Sequence, residues 1–316
     1  MDAKSLALAL QNETEKIIVG KSEVIKKVIL AIFSGGNVLF SDLPGTGKTT
    51  LAKAITLSCG LSFNRIQFVS DMLPSDIIGM NIYNQKSGEF ELRKGPVVTN
   101  ILLADEINRA IPRTQSALLE AMEEHQITID GSVYPLPSPF IVLATQNPVE
   151  NESTFALPVA QMDRFLLSLS IGYPEEDDEI EMLKRNGDST PFSLIKTVAS
   201  TEDILSVQEE CRNVFVSEEV ERYIVNIVSA TRKDERLKMG GSPRASRSLY
   251  QAAKSKAAME GRDYVNPTDI KEIAHSVLSH RLLLSSSARY SSLTVESVID
   301  DILSSVEVPE SLNKRK

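Results

Sequence analysis

Eight consecutive residues restrict the fold of this chain more than any others: Asp42-Leu43-Pro44-Gly45-Thr46-Gly47-Lys48-Thr49, continued by Thr50. An apolar run at 37–40 precedes them and a segment rich in Ala and Leu follows, so they read as a strand, a glycine loop and a helix start. Glycines at 45 and 47 let successive backbone N–H groups turn inward to cradle phosphate oxygens, and the helix N-terminus adds positive potential. In such a loop the Lys48 ammonium reaches the β- and γ-phosphates and the Thr49 hydroxyl ligates Mg²⁺. Asp42 stands where G-x-x-x-x-G-K-[ST] opens with glycine, a position that shapes the turn and does not touch phosphate.

A second motif points to the same chemistry. Ile101-Leu102-Leu103-Ala104-Asp105-Glu106 is an apolar run ending in two carboxylates. Acidic residues often end strands as solvated turns, but beside a phosphate loop Asp105 would hold Mg²⁺ through water and Glu106 would act as general base. Further strand-length runs at 65–68, 140–144 and 166–171, separated by helical pattern or loop, predict a parallel sheet covered on both faces.

Two segments are too long to be simple connections. The stretch 69–100 contains a short-helix start at Leu73-Pro74-Ser75-Asp76 and a hairpin over 82–92 turning at Lys86-Ser87-Gly88. In 126–136, Asp130-Gly131 lies between β-branched residues, a strong local hairpin pattern because both positions tolerate positive φ. Beyond Pro174 the chain turns acidic (175–181), then rich in turn residues (186–191), and only helices are predicted after that: 201–213, 217–233, 244–260, 267–279 and 293–306. Ser217 and Asn266 read as N-caps. A domain boundary is expected within 174–196.

Composition removes other classes. With 34 Lys+Arg against 43 Asp+Glu, the net charge is −9, which does not suit sequence-independent DNA binding. The longest purely apolar run, 28–33, is far too short to span a bilayer, and no leader is expected. Cys59 and Cys211 match no metal spacing and read as reduced, buried thiols of a cytoplasmic protein, while His125, His275 and His280 form no zinc motif.

Asp105-Glu106-Ile107-Asn108-Arg109-Ala110 followed by Gln115-Ser116-Ala117-Leu118-Leu119-Glu120-Ala121-Met122 resembles the MoxR family of AAA+ ATPases, within the helix-2-insert group. The likeness runs from Ile18-Val19-Gly20 to His280-Arg281. It implies a three-layer αβα P-loop core over 1–180 with a parallel five-stranded sheet of order 5-1-4-3-2. It also implies an all-α lid over 190–310 and a homo-oligomeric ring, usually hexameric, using ATP and Mg²⁺. Gly20 matches the adenine-pocket segment. Asn147, in Ala144-Thr145-Gln146-Asn147-Pro148, matches sensor 1, and this is also an Asn-Pro turn. Arg164, within 157–165, matches the arginine finger, which would project to the neighbouring subunit's ATP; a surface arginine paired with Asp163 is its plain alternative. Val159 and Ser153 stand where the family often has Glu and Gly. Arg244, after Ser242-Pro243, matches sensor 2, and a cation in a helix's first turn opposes the dipole unless an anion is near.

The resemblance implies ATP hydrolysis coupled to chaperone-like remodelling, or metal-cofactor maturation, of a partner carrying a von Willebrand factor A domain. A nucleic-acid motor and a magnesium-chelatase-like subunit are the alternatives. The hairpin region 126–136 holds no Lys or Arg, and 69–97 holds only Lys86, Arg93 and Lys94. DNA translocation needs cations that track phosphates. The loop 69–74 carries no aromatic residue of the kind threading unfoldases present.

Overall fold

The structure, a computed structural model, describes residues 1–42, 45–147, 155–186 and 192–309. Pro44, Pro148 and Ser153 lie outside the described residues. Five strands, β1 (Val38–Ser41), β2 (Phe63–Gln67), β3 (Ile101–Asp105), β4 (Ile141–Gln146) and β5 (Leu167–Leu169), form one sheet. Its order is β2-β3-β4-β1-β5 and every pairing is parallel, which is the expected 5-1-4-3-2 read from the other edge.

The near-continuous apolar character of the central strands follows from burial on both faces. Val38, Phe40, Ile101, Leu103, Ile141 and Leu143 enter one apolar cluster; Leu39, Leu102, Ala104, Val142 and Ala144 enter the other. Helices Ala3–Glu15, Ser22–Ser34 and Lys48–Ser58 cover the first face, and helix Pro112–Glu124 covers the second. The first helix buries Ala3, Leu6, Ala7, Leu10 and Thr14, a stripe of helical period, and leaves Leu8 in solvent. The same cluster continues into the C-terminal helices through Ile204, Val207, Leu249, Ala253 and Val277, so the N-terminal helices tie the sheet to them.

Both expected insertions are present. Gly79–Asn84 pairs antiparallel with Glu89–Lys94, three residues longer at its start and two at its end than the predicted 82–92, after a short helix at Pro74–Ile78. Gln126–Ile129 pairs with Ser132–Pro135 around Asp130 (φ 48°) and Gly131 (φ 79°). Asn81 Nδ2 donates to Asp130 Oδ2 at 2.8 Å and links the two hairpins.

Helices Thr201–Asn213, Glu218–Lys233, Pro243–Met259, Pro267–Leu278 and Val295–Ser305 build the C-terminal part. Ser217, Ser242 and Asn266 are N-caps, the first two accepting the backbone N–H of Val220 and Arg244. A small antiparallel ladder, Leu237–Met239 with Leu283–Leu284, joins these helices and corrects the expectation of helices alone, because strands of three and two residues are too short to leave an alternating pattern. The acidic stretch after Pro174 is a helix, Glu176–Asn186, where a connecting segment was expected. Four carboxylates in its first turn favour the helix N-terminus, while Ile180 and Leu183 remain exposed, so no buried apolar stripe marked it. Among the described residues no helix is long and apolar enough to cross a membrane.

Candidate active site

Gly45 and Gly47 adopt φ of +83° and +84°. A Cβ added at either would meet nothing within 4 Å, so the conformation, not space, requires glycine there. Gly47 is the N-cap of helix Lys48–Ser58, whose first N–H groups have no partner within the helix. This amide-lined turn opens into a cleft of about 410 Å³ at the C-terminal ends of β1, β3 and β4. Gly45, Thr46, Gly47, Lys48, Thr49 and Thr50 form one wall; Asp105, Glu106 and Asn147 form the other.

Asp42 does more than shape the turn. Its buried carboxylate accepts the Ser170 hydroxyl (2.6 Å) and the backbone N–H groups of Ile171 (2.6 Å) and Gly172 (3.2 Å), pinning the chain beyond β5 to the loop. Lys48 Nζ donates to the Asp42 carbonyl at 3.2 Å.

The facing carboxylates are held from strand β2. Arg65 and Gln67, two residues apart, share a face of that strand and line the cleft. Arg65 Nη2 and Nε reach Asp105 Oδ2 at 2.6 and 3.2 Å, while the Thr145 hydroxyl donates to Asp105 Oδ1 at 2.6 Å. Glu106 sits in the left-handed region (φ 56°), with its N–H donated to Thr145 Oγ1. Both Gln67 Nε2 (2.5 Å) and Arg109 Nε (3.1 Å) fall on Glu106 Oε2. Asn147 is nearly buried, its backbone bound reciprocally to the Asn108 side chain. Arg65, Gln67 and Thr145 were not anticipated; the alternating Arg-Ile-Gln of an edge strand was the available signal.

Three anticipated residues lie elsewhere. Gly20 (φ +71°) does not line the cleft; a Cβ there would fall 1.7 Å from the Asp178 carboxylate of the acidic helix. Arg164 and Arg244 sit together in a second cleft of about 150 Å³, both ion-paired with Glu123, Arg164 at 3.3 Å. The first is in the turn before β5 and the second in the first turn of helix Pro243–Met259.

A buried junction sets this arginine pair. Arg281 is 2% exposed; its Nε donates to Asp163 Oδ1 at 2.7 Å, and its other nitrogens reach the carbonyls of Phe165 (2.5 Å) and Leu166 (3.2 Å). Burial lowers its pKa to about 10, against the pull of Asp163, so it stays charged near neutral pH. The Ser242 hydroxyl donates to Asp163 Oδ2 at 2.6 Å, so one carboxylate ties the turn that carries Arg164 to the cap of the Arg244 helix. Arg164 therefore does not pair with its neighbour Asp163, whose carboxylate serves Arg281 and Ser242.

His280, beside Arg281, is buried with Nε2 3.1 Å from the Phe165 carbonyl oxygen. Burial, and then the Arg281 charge, hold its pKa well below the ordinary 6.5. The folded state thus keeps His280 neutral where the unfolded chain takes a proton, and stability falls as pH drops below about 6.5. Denaturation midpoints between pH 6.5 and 5.5 should fall more for the native chain than for His280→Gln, by up to about 1.4 kcal/mol per pH unit. Equal slopes would mean His280 takes up its proton within the fold.

Burial also pushes the Cys59 thiol up to about 12 and Cys211 to about 11, so both are inert at neutral pH. Among the described residues no cluster of three His, Cys, Asp or Glu could hold a metal ion. One carboxylate and one hydroxyl, Asp105 and Thr49, line the cleft and have the oxygen chemistry that a hard cation would need.

The geometry agrees with comparisons to known proteins. A profile for the ATPase family associated with various cellular activities (AAA) matches residues 37–167, and one for an AAA lid domain matches 229–302. Chaperone MoxR1 of Mycobacterium tuberculosis is 44% identical over 94% of this chain and 81% of its own length. Protein MoxR of Methylorubrum extorquens is 30% identical over 90% of this chain and 89% of its own. A crystal structure of an ATPase-like protein from Cytophaga hutchinsonii superposes with a TM-score of 0.89 at 39% identity, covering 98% of each chain.

Proposed function

This chain belongs to the MoxR family of AAA+ ATPases, and from that premise we propose that it hydrolyses ATP as a ring, probing and remodelling a partner protein in the manner of a chaperone. The observation that carries the ring is the position of Arg164 and Arg244. They share Glu123 in a cleft apart from the phosphate loop of their own chain, which supports a role for both at the ATP site of an adjacent copy.

Each residue then has a role. The amides of 45–49 and the Lys48 ammonium bind the phosphate tail. Thr49 and Asp105, facing each other across the cleft, would hold a magnesium ion, which when bound would supply positive charge beside the phosphate tail. Glu106, oriented through Oε2 by Gln67 and Arg109, takes a proton from the attacking water, which Asn147 helps to place. Arg164 and Arg244 of the neighbouring subunit stabilise charge on the transferring phosphoryl group. Residues 1–180 form the nucleotide core in this reading and 190–310 the lid, with Gly20 at the adenine side. The ring is hexameric and the partner carries a von Willebrand factor A domain, both on family resemblance. The hairpin at 126–135, without Lys or Arg, supports a protein client over a nucleic-acid track.

The test is complementation between two inactive variants. Arg164→Ala and Glu106→Gln should each be nearly inactive alone, and so should Arg244→Ala. Mixed in equal amounts with Glu106→Gln, either arginine variant should recover about a quarter of native turnover, because about one interface in four pairs an intact base with an intact arginine. No recovery would place the arginines in their own chain's site. A von Willebrand factor A protein should co-purify with the ATP-bound Glu106→Gln chain; stimulation of turnover by DNA instead would favour the motor reading.

A further inference from the structure

One cation in the phosphate cleft takes no part in binding or hydrolysing the triphosphate as proposed. Arg65 reaches the cleft from edge strand β2 and puts two nitrogens on Asp105 Oδ2, while Thr145 occupies Oδ1. Both oxygens of the carboxylate assigned to magnesium are thus engaged by the protein itself. The Arg65 side chain is 46% exposed and that of Asp105 only 12%, so the ion pair forms at the solvent side of a sheltered acid. A pair with a half-exposed cation is weak and readily exchanged.

We propose that Arg65 is the resident counter-ion of Asp105, displaced when magnesium arrives with nucleotide and thereafter free to face the phosphates. A guanidinium on Asp105 offsets the cost of a sheltered carboxylate that would otherwise lack a counter-ion before nucleotide binds. The water shell of a divalent cation would compete for the same oxygen, with twice the charge behind it. Once released, Arg65 still lines the cleft, where its charge favours an anionic ligand. The residue therefore acts in two opposed ways: it weakens the grip on magnesium and strengthens the grip on nucleotide that lacks it. It is a positioning residue, acting on the metal through Asp105. The inference rests on the assignment of Asp105 to magnesium.

Binding of a fluorescent, non-hydrolysable ATP analogue separates the two effects without reference to turnover. Affinity is measured in EDTA and across a magnesium titration for the native chain, Arg65→Gln, Arg65→Lys and Asp105→Asn. For Arg65→Gln the magnesium half-point should fall about three- to fivefold, and metal-free affinity should weaken by a similar factor. Arg65→Lys, which retains the charge, should return metal-free affinity close to native. Asp105→Asn should raise the half-point. An Arg65→Gln half-point that is unchanged or raised, while Asp105→Asn raises it, overturns the exchange and leaves the Asp105 assignment standing. The exchange is equally overturned if Arg65→Lys behaves as Arg65→Gln in EDTA, because charge would then not be the cause. An Asp105→Asn half-point equal to native overturns the assignment and the inference together.

Discussion

Glu106→Gln will bind ATP about as tightly as the native chain and hydrolyse it about 10²–10⁴-fold more slowly. The amide has nearly the shape of the carboxylate and can still accept from Gln67 Nε2, so the loop at φ 56° has no reason to move. It cannot accept a proton from water at neutral pH, so the loss falls on the chemical step and not on binding. Lys48→Ala separates the other way. Removing an ammonium from a phosphate contact should weaken nucleotide binding by about tenfold or more, with turnover falling as a consequence. Equilibrium binding and steady-state turnover on the two variants distinguish these outcomes. A Glu106→Gln chain hydrolysing within about threefold of native would remove Glu106 from the role of base.

The second large effect is on stability. Arg281→Met should destabilise the chain by about 3–5 kcal/mol, because deleting one partner of a buried ion pair strands the other. Asp163 would lose its charged partner and keep the Ser242 hydroxyl, and the carbonyls of Phe165 and Leu166 would lose the donors that Arg281 supplies. The shift in urea midpoint measures it. A second readout separates junction from simple stability: at temperatures where Arg281→Met remains folded, its turnover should still be depressed, because Asp163 adjoins Arg164 and binds the cap of the Arg244 helix. A loss below about 1 kcal/mol would show that apolar packing alone holds the lid to the sheet.

Much of this architecture is legible in the sequence. The five strands, both hairpins and all five long C-terminal helices lie within a few residues of where their patterns put them. Asp130-Gly131 marks its own turn because only a few residue types accept positive φ in succession. The helix Glu176–Asn186 escapes such a reading because its apolar residues face solvent, and a helix without a buried stripe leaves little periodic trace. Asp42 looks like a turn residue alone, since nothing near it in the chain announces the amides of Ile171 and Gly172.

The phosphate loop, the paired acids at the end of β3, the alternation of strands and helices and the helix caps were determined by the amino-acid order itself. Each is a short-range pattern in which a backbone conformation or a burial period selects residue types within about ten positions. The partnerships among charged groups were decided only by the tertiary structure. Arg65 meets Asp105 across 40 residues, Arg281 meets Asp163 across 118, and Arg244 meets Glu123 across 121. Parallel crossovers and the docking of the lid bring these side chains together, and an arginine carries no local mark of which carboxylate it will find. Pairing over such separations is a property of the folded surfaces, because charge attracts through space and is indifferent to distance along the chain.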